Sequence, residues 1–377
     1  MQYRKMPHSH DQLSALGFGC MRFPTLPEGK IDEPQAMAML HQAYENGVNY
    51  YDTAWPYHSG DSEPFLGRFL QQIDRKKVFV ATKLPCWLIK TREDMNDYLN
   101  KQMERLQTDY IDYYLLHALN KNTWKNLKDL GVLSWLEEAK IKGKIRHIGF
   151  SFHDDYPTFR KIVLAYEWDF CQIMLNYLDT QYQAGIRGYR LAVSRNMGII
   201  AMEPLRGGKL ISPIPDTVKA LWDKSKKQQS SLERAERWVW NLEGCTVLLS
   251  GMSTMQHVQE NSHFAEICPP NELSESELRL YAKVRREYIK RIPILCSECR
   301  YCMPCPQKVA IPAIFGTYNE AVMFEDQERH AKEYEMFIPE ESRADKCIQC
   351  GACIPKCPHH IDIPTEMKKI AKYFAGS

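Results

Sequence analysis

The chain has 377 residues, enough for one large domain and a second, smaller one. Hydrophobic residues make up 44% and charged residues 25%, and the net charge of +2 gives no electrostatic basis for binding nucleic acid or an anionic membrane. No window approaches about 20 uninterrupted apolar residues, so we expect no membrane-spanning segment. The basic residues after Met1 precede no apolar run, so we predict a cytoplasmic protein whose 13 cysteines are reduced.

Residues 16 to about 268 alternate between short β-rich apolar runs and segments with helical spacing. The apolar runs are nearly continuous, as strands buried on both faces should be. This alternation over about 250 residues predicts an α/β fold, a (β/α)8 TIM barrel that occupies residues 1–268. Gly17-Phe-Gly19 lacks the third glycine of a dinucleotide-binding loop and is interpreted as a point of close packing. The predicted strands are 16–21, 48–53, 78–84, 111–117, 145–151, 171–176, 198–202 and 245–250.

Helices are predicted between these strands from apolar spacing and from residues that favour helix ends. Asp32 suits the N-cap of the first helix, Pro34 its first turn, and Asn46-Gly47 its end. The other predicted helices are 62–72, 93–106, 131–142, 155–166, 185–196, 216–242 and 255–266.

Polar side chains with complementary chemistry end or closely follow the second, third and fourth predicted strands. Asp52 and Tyr57 follow the second strand, Lys83 ends the third and His117 ends the fourth. Reactive side chains of a (β/α)8 barrel lie where the strands end, on the C-terminal face. Each residue alone is more often structural than catalytic, but their combination on successive strands predicts one active site.

These four residue types suit the reduction of a carbonyl group. A proton must reach the alkoxide that forms when hydride arrives, and Tyr57 could donate it if a nearby ammonium lowered its phenol pKa from about 10. Lys83 is the candidate ammonium and Asp52 its counter-ion. His117 would then orient the carbonyl oxygen by hydrogen bonding.

The same region resembles the aldo-keto reductase family. The resemblance extends from Tyr3 to about Glu266. It implies a (β/α)8 barrel that binds NADP(H), or NAD(H), in an extended form without a Rossmann motif. It also implies that Asp52, Tyr57, Lys83 and His117 form the catalytic tetrad. The motifs that carry the resemblance are Asp52-Thr-Ala-x-x-Tyr57, Gly60-x-Ser62-Glu63, Leu66-Gly67, Gly149-Phe-Ser151, Glu203-Pro-Leu-Arg-Gly-Gly208 and Gly251-x-Ser253-x6-Glu260-Asn261.

The family resemblance also implies cofactor contacts, with some departures from the family pattern. Phe152 stands where many members have Asn, and Met202 replaces the tyrosine that stacks on the nicotinamide. Gly251 and His257 replace a Lys and an Arg that often bind the 2′-phosphate, so the choice between NADP and NAD stays open. Arg206 is a candidate phosphate cation or a solvated loop charge. The implied contacts are Ser151, Gln172 and Asn176 for the nicotinamide amide, and Gly251, Ser253, His257, Glu260 and Asn261 for the adenosine phosphate end.

Two cysteine runs follow the predicted barrel. The second run has the spacing C-x2-C-x2-C-x3-C-P, which is typical of bacterial ferredoxins, and the first has one residue fewer in its last gap. Zinc is the alternative, but zinc ribbons usually pair two C-x2-C knuckles. We therefore predict two [4Fe–4S] clusters. Because the fourth cysteine of such a run binds the other cluster, the ligand sets are Cys296, Cys299, Cys302 and Cys357, and Cys347, Cys350, Cys353 and Cys305.

The alternation of strand-like and helix-like segments ends after Pro269-Pro270. Ser274 and Glu277 form a capping box that opens a predicted linker helix within residues 269–293, and Pro293 ends it. Residues 294–377 should form a small ferredoxin-like domain. Its charged stretch 319–337 is predicted to be helical, so the domain resembles the α-helical ferredoxins.

Three functions are compatible with this architecture. The main prediction is an NAD(P)H-dependent oxidoreductase that reduces an aldehyde or ketone. The second is a ferredoxin-linked reductase that passes electrons between the clusters and the barrel site, with a redox partner protein. Because nicotinamide delivers hydride and clusters pass single electrons, the second function needs an intermediary such as flavin. The third is a regulatory or sensor protein with weak catalysis.

Overall fold

The computed structural model describes residues 1–375 and contains a closed parallel barrel, which confirms the predicted fold class. Strands β3 to β10 form the barrel, and β10 pairs with β3 to close it. Each predicted strand is present within about two residues. The strands are β1 (Tyr3–Lys5), β2 (Gln12–Ser14), β3 (Leu16–Gly19), β4 (Tyr50–Asp52), β5 (Phe79–Leu84), β6 (Ile111–Leu119), β7 (Ile145–Phe152), β8 (Phe170–Met174), β9 (Gly198–Met202) and β10 (Cys245–Ser250).

Helices alternate with the barrel strands and continue beyond them. No helix of the described residues is long and apolar enough to cross a membrane. The helices are α1 (Glu33–Glu45), α2 (Ser62–Leu70), α3 (Arg92–Leu106), α4 (Lys121–Asp129), α5 (Val132–Ile141), α6 (Tyr156–Val163), α7 (Gly185–Ser194), α8 (Asp216–Trp222), α9 (Ser231–Trp240), α10 (Met255–Ile267), α11 (Glu275–Lys290), α12 (Ile311–Phe324), α13 (Gln327–Phe337) and α14 (Ile363–Ala375).

Two predicted helices are each interrupted. The predicted helix 216–242 is two helices, α8 and α9, because Ser230 adopts an extended conformation and its side chain caps α9 by accepting a hydrogen bond from Glu233 N. The predicted helical stretch 319–337 is divided between α12 and α13. Glu325 ends α12 in the left-handed conformation (φ 54°), and Asp326 then caps α13.

An N-terminal hairpin, β1 and β2, packs at the N-terminal ends of the barrel strands. Met6 and Leu13 are fully buried in one cluster with Tyr113 and Phe170. Asp11 accepts hydrogen bonds from Tyr113 Oη (2.7 Å) and His147 Nε2 (2.9 Å). The hairpin therefore fills this end of the barrel and leaves the C-terminal ends of the strands for a site.

The described residues divide into two compact units. The first comprises Met1–Gly207 and Ser230–Leu273 and contains the barrel, and the second comprises Gly208–Gln229 and the chain from Ser274 onward. Gly208–Gln229, which lies between β9 and α9, packs on α11 through Trp222 and Tyr281, whose ring centroids are 5.0 Å apart. The predicted linker helix corresponds to α11. The expected division into 1–268, 269–293 and 294–377 stays a prediction.

The second unit is mainly helical, as expected. Its core is formed by apolar side chains of α12 and α14 and the segments that precede them. The fully buried residues of this core are Val309, Ile314, Met367 and Ile370. Several cysteines of the two runs pack against the same core, so the cysteine loops are held by a hydrophobic centre.

A glycine permits close packing of α2 against α3, which leads to a stability prediction. A Cβ atom on Gly67 would lie 2.4 Å from Arg105 O and 3.0 Å from Leu106 C, both backbone atoms. We expect Gly67→Ala to lower the free energy of unfolding by about 2 kcal/mol or more, because a helix backbone cannot yield easily. Denaturant unfolding followed by tryptophan fluorescence would measure this.

The matched control is Gly316→Ala, also within a helix. Its added Cβ would meet only Glu298 Oε1, at 3.8 Å. This variant should be neutral or up to about 1 kcal/mol more stable, because alanine favours helix. Equal unfolding midpoints for wild type and Gly67→Ala would contradict the packing argument.

Candidate functional site

The four predicted catalytic residues meet at the C-terminal end of the barrel. Asp52 ends β4, Lys83 lies in β5, His117 lies in β6, and Tyr57 opens the short turn that follows β4. Lys83 is fully buried, and its Nζ donates hydrogen bonds to Asp52 Oδ1 (2.6 Å), Thr53 O (2.8 Å) and Tyr57 Oη (3.5 Å). The ammonium therefore connects the carboxylate to the phenol.

Burial and the ion pair set the charges of these groups. Burial would lower the pKa of the Lys83 ammonium, but Asp52 and Tyr57 together raise it above its ordinary value. Burial also raises the pKa of Asp52, with Lys83 opposing. We take the pair as ionised, because a buried ammonium 2.6 Å from a carboxyl oxygen requires a counter-ion.

The pKa of Tyr57 differs from the sequence-based expectation. Burial raises the pKa of this phenol above its ordinary value, and the Lys83 ammonium lowers it by less than burial raises it. Lys83 thus lowers the pKa of Tyr57, as the sequence suggested, but the sequence did not reveal the larger, opposite effect of burial. The tyrosine keeps its proton, and the ammonium nearby favours the phenolate once that proton leaves.

His117 lies beside the tyrosine as a neutral imidazole. Its ring lies edge-on to the Tyr57 ring, with centroids 6.1 Å apart, and 5.1 Å from the ring of Trp87. Burial, followed by the charge of Lys83, holds the pKa of His117 well below its usual range. Nδ1 is buried and has no hydrogen-bond partner among the described residues. The ring is thus available to a ligand in its uncharged form.

The turn after β4 positions Tyr57 through an unusual backbone path. His58 (φ 51°), Ser59 (φ 56°) and Gly60 (φ 102°) are consecutive left-handed residues. His58 Nε2 accepts a hydrogen bond from Phe23 N (3.2 Å), which ties this turn to the loop after β3. Ser62 Oγ donates to Cys20 O (2.9 Å) from the first turn of α2. These motif residues hold the loop and contribute no reactive group.

A buried network behind Lys83 was not predicted. Glu63 is fully buried and accepts hydrogen bonds from Thr82 Oγ1 (2.6 Å) and Gln102 Nε2 (2.8 Å). Gln102 also donates to Lys83 O (2.9 Å), and Arg105 forms an ion pair with Glu63 (3.2 Å). The network fixes the backbone of β5 where it presents the lysine. Glu63 belongs to the Gly60-x-Ser62-Glu63 motif and could have been singled out from the sequence. No motif or spacing in the sequence indicates a role for Gln102.

Two of the predicted nicotinamide contacts offer free hydrogen-bonding groups. Gln172, in β8, has a buried Oε1 without a partner in residues 1–375, and this atom could accept from a carboxamide N–H. Ser151 Oγ accepts from Ala118 N (2.7 Å), so its hydroxyl hydrogen remains to donate to a carboxamide oxygen. These residues fit the amide of a nicotinamide.

Asn176 and Arg206 are engaged with the protein. Asn176 donates to Asp179 Oδ2 (3.0 Å) and Glu203 O (3.2 Å), and its Oδ1 accepts from two backbone amides. Arg206 forms an ion pair with Asp179 (2.8 Å). Both residues therefore link the loops after β8 and β9, and their predicted cofactor contacts stay predictions.

The residues predicted for the adenosine phosphate end lie on the loop after β10 and on α10. Ser253 N donates to His257 Nδ1 (3.3 Å), and Ser253 Oγ lies 3.4 Å from the same nitrogen. Asn261 Nδ2 donates to His257 O (2.7 Å), whereas Asn261 Oδ1 is buried with no partner in the described chain. Glu260 accepts from Gln256 (2.7 Å), and Gly251 follows β10 directly.

The cluster cysteines form the two groups that the spacing predicts. Burial raises the pKa of the Cys353 thiol, and the thiols of Cys347, Cys305 and Cys350 raise it further, so the four lie close together. Three sulfurs from one run and the fourth from the other fit [4Fe–4S] ligation. One cavity is lined by Cys296, Cys299, Cys302 and Cys357, and a second by Cys305, Cys347, Cys350 and Cys353.

Family models match both parts of the chain. The model of the aldo/keto reductase family matches residues 15–275, and that of a 4Fe-4S dicluster domain matches residues 295–361. The AKR11C1 aldo-keto reductase from Bacillus halodurans, in its holo form, has a similar fold (TM-score 0.65, 24% identity). That match covers 75% of this chain and 96% of that one.

Curated relatives are similar over parts of the chain. Protein tas of Escherichia coli is 29% identical over 224 residues, or 49% of this chain, and the chain spans 63% of its length. The NADH-specific methylglyoxal reductase of Escherichia coli is 24% identical over 302 residues, which cover 66% of this chain and 89% of that protein.

The barrel match extends over more than half of the chain, and the dicluster match contains all eight cysteines of the two cavities. Gln172 and Ser151 fit a nicotinamide amide, and the paired cysteine sets fit two clusters. The chain belongs to the aldo-keto reductase family of oxidoreductases, and its cofactors are a nicotinamide nucleotide and two [4Fe–4S] clusters.

Proposed function

We propose that the protein reduces the carbonyl group of a small aldehyde or ketone to an alcohol with NADPH or NADH, and that Tyr57 donates the proton. The observation that carries this proposal is the buried Lys83 ammonium, which lies 2.6 Å from Asp52 Oδ1 and 3.5 Å from Tyr57 Oη. A phenol beside a buried cation is suited to give up a proton during a reaction.

The nicotinamide supplies the hydride when it is bound. Tyr57 Oη gives its proton to the carbonyl oxygen as that oxygen gains negative charge, so hydride and proton together complete the alcohol. Lys83 stabilises the phenolate that remains, and Asp52 keeps Lys83 protonated. His117, as a neutral imidazole, donates a hydrogen bond that orients the carbonyl oxygen.

The substrate class follows from the surroundings of the tetrad. Trp87 lies against His117 and is 47% exposed, so an apolar surface borders the reacting groups. This favours small carbonyl compounds with an apolar or uncharged remainder. Because one relative is named a methylglyoxal reductase, 2-oxoaldehydes belong in the first substrate panel.

The two cluster sites favour a second candidate function, a ferredoxin-linked reductase with a redox partner protein. It needs a carrier such as flavin, since hydride moves two electrons and a cluster moves one. A weakly catalytic regulatory or sensor protein is the third candidate. NADPH oxidation by a carbonyl panel would support the main proposal, whereas turnover only with a reduced one-electron donor would support the second.

Replacing the proton donor should slow turnover without weakening cofactor binding. We expect Tyr57→Phe to lower kcat by about 100-fold or more, the usual contribution of a general acid, and to leave the Kd of NADPH nearly unchanged. Steady-state NADPH oxidation and fluorescence titration would measure the two quantities. The control is Tyr44→Phe, which removes a hydroxyl from α1, outside the site. Near-wild-type kcat in Tyr57→Phe would refute the assignment.

The pKa directions predict a flat pH profile near neutrality. The pKa of His117 is held well below its usual range by burial, so this ring stays neutral above that value. The pKa values of Tyr57 and Lys83 are both raised, so both side chains keep their protons near neutral pH. We expect kcat to be constant between about pH 6.5 and 8.5 and to fall only at higher pH. A step in kcat near pH 6.5 that disappears in His117→Gln would contradict this.

The cluster assignment predicts iron and sulfide content. Protein purified without oxygen should contain about eight irons and eight acid-labile sulfides per chain, with absorption near about 400 nm that bleaches on reduction. Cys305→Ser and Cys357→Ser should each lose one cluster, to about four irons. Cys171→Ala, a buried barrel cysteine, is the control. Stoichiometric zinc without sulfide would rule out the assignment.

A further inference from the structure

Three side chains that can bind a metal lie together in the second unit, outside the cysteine runs. Glu320 belongs to α12, and His330 and Glu333 belong to α13, where a spacing of three residues places both on one face of the helix. The imidazole nitrogen and one carboxylate oxygen from each glutamate all lie within 4.8 Å of one another. The group therefore joins α12 to α13, and the proposed reaction does not use it.

The imidazole of His330 is held in one orientation. Its side chain is fully buried, and its ring lies parallel to that of Phe324, with an interplanar angle of 2°. Nδ1 lies 2.6 Å from Asp326 O, and because a carbonyl oxygen can only accept, Nδ1 carries the hydrogen. A neutral ring therefore presents the lone pair of Nε2. Metal-binding histidines are commonly held in this way, with a backbone carbonyl bound to the other nitrogen.

That lone pair faces two carboxylates. Nε2 is buried without a hydrogen-bond partner in the described residues, and it lies 3.5 Å from Glu320 Oε2 and 3.9 Å from Glu333 Oε2. Carboxylate oxygens repel a lone pair unless a cation lies between them. A protonated ring would draw an oxygen to about 2.7–2.9 Å, the length of a charge-assisted hydrogen bond. The observed separations are closer to the edge of a zinc tetrahedron, about 3.4 Å for ligand atoms about 2.1 Å from the ion.

A cation already lies between the two carboxylates. Lys209 Nζ donates hydrogen bonds to Glu320 Oε2 (2.5 Å) and to Glu333 Oε2 (2.9 Å), the same two oxygens that face His330. The ammonium therefore marks a place where positive charge is stabilised. It satisfies the carboxylates but leaves His330 Nε2 without a hydrogen bond within the described chain. A metal ion would engage all three ligand atoms at once.

The carboxylates are oriented and can be reached from solvent. Arg329 Nε donates to Glu333 Oε1 (3.4 Å), which leaves Oε2 of that residue directed at the group. The side chains of Glu320 and Glu333 are 28% and 27% exposed, so an ion has an entry path that does not require the helices to separate. Lys209 carries its charge on a flexible four-carbon side chain, which can withdraw when an ion enters.

We propose that Glu320, His330 and Glu333 bind Zn²⁺, which displaces the ammonium of Lys209. An imidazole nitrogen and carboxylate oxygens are ligands that Zn²⁺ accepts, and a water molecule would complete its four-coordination. The ion would connect α12 to α13 and so stabilise the second unit. The site is independent of the proposed function, because neither the nicotinamide nor the iron–sulfur clusters take part in it.

The test uses the full-length protein, purified without oxygen and with its clusters intact. After incubation with a zinc salt and desalting, we expect about one Zn²⁺ per chain, with the iron and acid-labile sulfide content unchanged. Glu320→Gln and Glu333→Gln should each raise the Kd of Zn²⁺ by about 10-fold or more, because each removes a charged ligand. Competition with a fluorescent zinc chelator would measure Kd. Glu328→Gln, which changes an exposed carboxylate of α13, is the matched control.

Lys209→Met separates a metal site from a cluster of ion pairs. Because this variant lacks the competing cation, the Kd of Zn²⁺ should fall by about 10-fold or more. Zn²⁺ should also raise the unfolding midpoint of this variant by more than that of the wild type. Lys219→Met, which removes an exposed lysine from α8, should leave Kd unchanged. If the group is only a cluster of ion pairs, Lys209→Met will lose stability and Zn²⁺ will not restore it.

Other outcomes would overturn the proposal. If neither the wild type nor Lys209→Met retains Zn²⁺, the three residues do not form a metal site. Equal affinity in the wild type and in a folded Glu333→Gln variant would place the ion elsewhere. Zinc uptake accompanied by loss of iron would assign the zinc to the cluster cysteines and would also count against the site. Should the glutamine variants fail to fold, the comparison of Lys209→Met with the wild type still decides.

Discussion

The buried ion pair between Lys83 and Asp52 is the constraint on which the active end of the barrel depends. Removing an ammonium from water costs several kcal/mol unless partners replace the lost hydration. The partners here are Asp52, Thr53 O and Tyr57 Oη, and all three belong to β4 or the turn after it. The lysine can therefore be buried only if β4 and β5 keep their register, in which Asp52 lies opposite Ala81.

Several features of the first unit preserve that register. A buried hydrogen-bond network of Glu63, Gln102 and Thr82 holds the backbone of β5 at Lys83. The lysine is thereby kept close to its partners. The hairpin with Met6 and Leu13 fills the opposite end of the barrel, and a Cβ atom on Gly198 would come within 2.1 Å of Met6 Sδ. Packing at one end thus supports an exact arrangement of charges at the other. Burial raises the pKa of the Tyr57 phenol, and the Lys83 ammonium, held in this arrangement, opposes that rise.

The sequence predicted the barrel strands because each is a buried apolar run, and it predicted the tetrad because those residues follow successive strands. The β1–β2 hairpin was missed because strands as short as Tyr3–Lys5 and Gln12–Ser14 are too brief to reveal a period. The break between α8 and α9 was missed because the polar residues between them do not exclude helix. The direction of the Tyr57 pKa shift depends on burial, which cannot be read from a linear pattern.

The membership of Gly208–Gln229 in the second unit has a consequence for how the chain is made. The polypeptide passes between the two units at three points, after Gly207, after Gln229 and after Leu273. The second unit is therefore not a C-terminal appendage that a deletion can remove, because such a deletion would leave α8 and Trp222 without Tyr281. On the ribosome, where synthesis proceeds at about 5–20 residues per second, α8 is made before α11. It cannot pack against α11 until that helix has been synthesised. During that interval the apolar side chains of α8, Trp222 among them, lack the surface that they pack against in the folded protein.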